Sequence, residues 1–143
     1  MGGKPVAATK KGIIAADPDA LARHVPDLAN WPRSWCIDDP DLVFGQALLE
    51  VFVPFLQHLL AQGYARKTFN RHRDHLWMLG GALIEHRYLH SEKLGMDARA
   101  LILDQTDELG GPLLSKRLSE SEHNPFDATC RKLHYFLSAT SGQ

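Results

Sequence analysis

At 143 residues, 44% hydrophobic and 23% charged, the chain can bury one hydrophobic core and is short for two ordinary domains, and its composition argues against wholesale disorder. A net charge of −1 excludes a nucleic-acid partner held by global charge, so any such contact must rest on a local patch. Cys36 and Cys130 stand far apart without a CxxC spacing, which argues against a zinc knuckle or redox pair and predicts two small buried thiols in a reducing compartment.

Residues 1–16 are rich in Gly, Ala and Lys, with few groups to bury, and read as a flexible tail. They lack the apolar h-region of a signal peptide, and no segment reads as the roughly 18 apolar residues of a bilayer span. The expected location is therefore cytoplasmic, with no membrane partner. Asp17-Pro18-Asp19 starts a helix, with Asp17 as N-cap and Pro18 at the first helical position; Pro26 keeps it short. The rest of residues 17–40 reads as an irregular segment. In it Trp31 and Trp35 flank Pro32 and are expected to pack as a lid over a helical core, with ligand stacking as the alternative.

A helical bundle domain is expected over residues 41–143. Asp38-Asp39-Pro40-Asp41 is a turn and a helix start, and the helix runs to about Gln62. Phe44, Leu48, Val51, Phe52, Phe55, Leu56, Leu59 and Leu60 form its apolar face, and Pro54 falls on the opposite stripe. Gly63 ends it. A second helix spans Thr68 to about Arg87, with Phe69, His72, Leu76, Leu79, Gly80 and Leu83 on one face. The short linker makes the two helices antiparallel neighbours. Gly80 on the buried face implies close approach of another helix. A third helix, capped by Asp97, is expected from Met96 to about Leu109. Ser119-x-x-Glu122 has a capping-box pattern; Pro125 should force a restart or kink before a last helix, Asp127 to about Ala139. That helix should turn Phe126, Cys130, Leu133 and Leu137 inward.

The chemistry-bearing residues are sparse. His72/His75 and His86/His90 have metal-compatible spacings, but neither pair belongs to an HExxH motif and no third ligand is evident. His72 should face the core and His75 away from it. No GxSxG, GxxxxGK[ST] or GxGxxG signature occurs, so no catalytic residue, metal or cofactor is expected and the chain reads as non-enzymatic. The informative feature is basic. Arg66, Lys67, Arg71 and Arg73 gather at the start of the second helix, where free N–H groups and the hydroxyl of Thr68 suit a phosphate. Arg131 and Lys132 on the last helix offer a second contact. The competing interpretation is a solvated basic face balanced by Asp74, Asp104, Asp107 and Glu108.

Phe55-Leu56 with Leu59-Leu60, then Gly63-Tyr64-Ala65-Arg66-Lys67-Thr68, then His72, Leu76 and Leu79, resembles the start of the core-binding, SAM-like domain of tyrosine recombinases and phage integrases. Asp127-Ala128-Thr129-Cys130-Arg131 to Leu133-His134-Tyr135-Phe136-Leu137 resembles that family's last helix. The resemblance covers about Leu42 to Ala139. It implies an all-α, SAM-like, orthogonal bundle of four to five helices, clamping one side of duplex DNA. Arg66, Lys67, Thr68 and Arg71 would then lie near DNA, with Thr129, Arg131 and Lys132 on the last helix. His72 stands where the family usually has Tyr. The family's catalytic Arg, His-x-x-Arg and nucleophilic Tyr have no counterpart here, so the resemblance implies a freestanding DNA-binding or recombinase-accessory module of a mobile element without strand-transfer activity. The alternative function is a protein-interaction module or homodimer, suggested by near-neutral charge, the tryptophan segment and an exposed Met78.

Overall fold

Six α-helices and no β-strand make up the described residues, 18–112, 114 and 120–140, of a computed structural model. They are α1 (Pro18–His24), α2 (Trp31–Trp35), α3 (Pro40–Ala61), α4 (Arg66–Leu89), α5 (Ala98–Gln105) and α6 (Glu120–Thr140). The all-α expectation holds. The expected tail and the caps at Asp17 and Ser119 lie outside the described residues.

Helix α3 forms because its apolar residues recur at helical spacing. Phe44, Leu48, Phe52, Phe55, Leu56 and Leu59 are buried as expected, Leu49 is buried beside them, Val51 and Leu60 of the expected face are half-buried, and Gln46, Glu50 and Pro54 are exposed. Each such burial stabilises the fold by about 1.5–3 kcal/mol. Contrary to expectation, α3 is long and apolar enough, by length and composition, to cross a membrane. The buried stripe accounts for that, since it is the side on which the rest of the protein packs. Asp41 organises the entry to α3: its buried carboxylate accepts hydrogen bonds from the N–H groups of Ile37 (2.9 Å) and Asp38 (2.8 Å). Gly63, at φ +76°, closes the helix in a left-handed conformation that a side chain would strain.

The chain then reverses, and α4 runs back along α3. Arg87 near the end of α4 lies 3.8 Å from Asp41 near the start of α3, and its guanidinium sits 4.3 Å from the Phe44 ring centroid. The expected buried face of α4 is the observed one, extended by Ile84. Trp77, at its edge, is 43% exposed.

Four local expectations need correction. The tryptophan segment is helical: Trp31–Trp35 forms α2, because Pro32 occupies the first turn, where a missing N–H costs nothing. Both indoles are buried and their N–H groups are satisfied internally, Trp31 by the Asp27 carboxylate (3.2 Å) and Trp35 by the Trp77 carbonyl (2.9 Å). The Trp35 ring lies across Gly80, so closely that a Cβ there would overlap its six-membered ring. Secondly, α5 stops at Gln105 and does not reach Leu109, which is 78% exposed. Thr106 turns extended and donates its hydroxyl back to the Ile102 carbonyl (2.8 Å). The Asp107 carboxylate then holds the N–H groups of Leu109 and Gly110 in a tight turn. Thirdly, the helix does not restart after Pro125: α6 is one helix from Glu120 to Thr140 with Pro125 inside it, at the loss of that residue's backbone N–H bond. Its inward set, Phe126, Cys130, Leu133 and Leu137, is fully buried as expected. Lastly, Cys36 is half-buried and donates to the Asp38 carbonyl (2.9 Å), so only Cys130 is a core thiol.

Candidate nucleic-acid interface

Helix α4 begins after Ala65, whose backbone (φ −58°, ψ 151°) has N-cap geometry but whose methyl group cannot accept a hydrogen bond. The first turn holds no acidic residue, so its N–H groups carry an uncompensated positive end. Arg66 and Lys67 project from that turn and Arg71 from the next, all exposed. With Asn70, Asp74, His75 and Met78 they line an open groove of about 760 Å³. Replacing Ala65 with Asp should supply the missing cap and stabilise the fold by about 1 kcal/mol. The same carboxylate should weaken any anion bound in the groove. Thermal melts and a binding titration should therefore move in opposite directions.

Helix α6 meets α4 at the two histidines of this stretch. Thr129 is 1% exposed, and its hydroxyl meets Nδ1 of His72 at 2.7 Å and Nδ1 of His75 at 2.9 Å. The one hydroxyl hydrogen can serve one acceptor, and the Pro125 carbonyl also lies within reach at 3.3 Å, so at least one of the two imidazoles donates its Nδ1–H to Thr129. Burial, reinforced by Lys132, His75 and Arg71, pushes the His72 pKa down to about 4. His75 is lowered as well, by burial first and Arg71 second, with Asp74 opposing. Both rings are therefore neutral at pH 7. Tyr64, in the interhelix turn, packs against His72 with ring centroids 5.6 Å apart, and Lys132 reaches over Tyr64 at 5.7 Å.

The seven residues that the sequence singles out thus separate into three groups. Arg66, Lys67 and Arg71 line the groove, and Lys132 approaches the same cluster from α6. Thr68 and Arg131 are half-buried and do not line it. Thr129 is corrected outright: it is buried with its hydroxyl committed, and it cannot touch a phosphate. His75 is corrected in the opposite sense. It turns both to the shared hydroxyl beneath and to the groove above, because a residue of α6 inserted between positions i and i+3 of α4 is within reach of both. Nothing in the local sequence signals a contact between residues 54 positions apart.

The surrounding acids are engaged elsewhere. Asp74 pairs with Arg73 at 2.9 Å, removing that arginine from the set of free cations. Asp104 pairs with Lys93 at 2.9 Å, and Asp107 holds its own turn. Among the described residues, Arg66, Lys67, Arg71, Arg131 and Lys132 form no ion pair. His86 and His90 stack at 4.2 Å between centroids, and no group of three possible metal ligands occurs among the described residues. No protein family, characterised protein or solved structure matches this chain.

Proposed function

We propose that this protein is a non-enzymatic DNA-binding module that grips the phosphate backbone of a duplex through Arg66, Lys67, Arg71 and Lys132. The observation that supports this is that Arg66, Lys67 and Arg71 line one groove with no ion pair among the described residues, while Lys132 lies over the Tyr64 ring in the turn before α4 and Asp74, which also lines the groove, is paired with Arg73. Phosphate contacts of this kind fix position and do not read sequence. The resemblance to recombinase core-binding domains fits the same role, as a cytoplasmic accessory of a mobile element. Duplex affinity measured against salt tests it. Four phosphate contacts should give a log–log slope of about −3.6, and Arg71→Ala should flatten it by about 0.9. Absence of binding at low salt, or an Arg71→Ala slope equal to the parent's, would sink the proposal.

A second reading has its own observation. Ile37, Trp77 and Leu89, exposed by 48%, 43% and 66%, rim an apolar depression of about 570 Å³ beside Trp35 and Met78. A protein partner seated there requires no DNA affinity, so the same salt titration separates the two.

A further inference from the structure

We propose that His75 couples binding to proton uptake: its Nε2 gains a proton as a DNA phosphodiester seats among Arg66, Lys67 and Arg71. This rests on the DNA-binding reading and adds a regulation of the same groove by pH.

The ring is fixed in place. Nδ1 is hydrogen-bonded inward to the Thr129 hydroxyl at 2.9 Å, and the Phe126 ring packs against the imidazole edge to face at 5.9 Å. Only Nε2 remains free. His75 is half-buried and lines the groove, and Nε2 has no partner among the described residues. In the tautomer that donates Nδ1–H to Thr129, the neutral ring presents Nε2 as a bare acceptor. Protonating Nε2 therefore disturbs no existing hydrogen bond. His72 makes the same inner bond but is 6% exposed, so a charge there would sit in the core.

The charges around His75 make its protonation conditional. On α4, Arg71 opposes it, Asp74 favours it while held by Arg73, and His72 shares its hydroxyl. From α6 come the uncharged Thr129 and Phe126. Lys132 acts on neighbouring His72, and His123, on the other side of Phe126, is turned to Asp127 at 3.2 Å. The empty groove thus holds His75 neutral. A phosphate offsets Arg71 and accepts the new Nε2–H, which reverses the balance. Binding must then tighten as pH falls.

The test is duplex affinity at constant ionic strength, from about pH 8 to about pH 6, for the parent and His75→Asn. The Asn amide can replace Nδ1–H on Thr129 but offers no second ring nitrogen. The parent should gain roughly tenfold across that range and the variant less than about twofold. NMR of the parent's His75 ring should show Nε2 protonating at higher pH with duplex bound than without it. A flat parent profile, an unchanged pH response in His75→Asn or an unmoved His75 titration would each overturn the coupling. If the salt slope stays steep, DNA binding survives that failure; absence of binding at every pH overturns both.

Discussion

Gly80→Ala is expected to destabilise the bundle by about 3 kcal/mol, although alanine is the better helix former by about 1 kcal/mol. The reason is Trp35. Its ring edge occupies the space a Cβ would need, against Cζ2, Cε2 and Cη2. The indole cannot simply step aside, since its Nε1–H is bonded to the Trp77 carbonyl at 2.9 Å and its ring packs at right angles on Phe52. Moving it would break that bond and open a void over α3. Gly81→Ala is the control. A Cβ there meets Trp35 Cδ1 at 3.6 Å, an ordinary contact, so this variant should be as stable as the parent or more so. Thermal melts should separate the pair by about 10 °C or more. Equal melting temperatures would mean that Trp35 does not lie across Gly80. Trp35→Leu should suppress much of the Gly80→Ala penalty in a double-mutant cycle, because the two act through one contact.

Asp41→Ala should cost about 3 kcal/mol, the second large effect. At 5% exposure, Asp41 is the buried carboxylate that receives two backbone N–H groups and faces Arg87. Removing it strands those donors and leaves Arg87, whose Nε is already buried without a hydrogen bond among the described residues, stacked on the Phe44 ring without its carboxylate. Asp41→Asn keeps an acceptor for the backbone but loses the charge, and should cost about half as much. Urea midpoints measure both. Arg87→Met in the Asp41→Ala background should recover stability, since it removes the uncompensated buried charge. A further loss in that double variant would show that Arg87 is held by contacts other than Asp41.

How much of this was legible from the sequence depends on range. The 3.6-residue periodicity disclosed the buried faces of α3 and α4, and the inward set of α6, because a helix face is written within one segment. Gly80 on that face correctly implied a close neighbour. The errors arise where a few residues compete over a local conformation. Pro32 suggested an irregular segment but suits a first turn; Leu109 extended an apolar pattern that the Thr106 and Asp107 side chains interrupt; Pro125 lies inside α6 without restarting it. In the groove, Arg66, Lys67 and Arg71 were readable as neighbours on one helix, whereas the exchange of roles between Thr129 and His75 was not. That exchange depends on which residue of α6 stands between two histidines of α4, and it is settled only when the helices meet.

The hydroxyl of Thr129, pinned to two imidazoles at 2.7 and 2.9 Å, has one more consequence. Through that bond His75, which lines the groove, is tied to the packed interior and takes its place when the chain folds. A ligand arriving there finds one lining side chain already held. The entropy lost on binding then falls mainly on the outer ends of Arg66, Lys67 and Arg71, about 0.5–1.5 kcal/mol for each side chain that is held still.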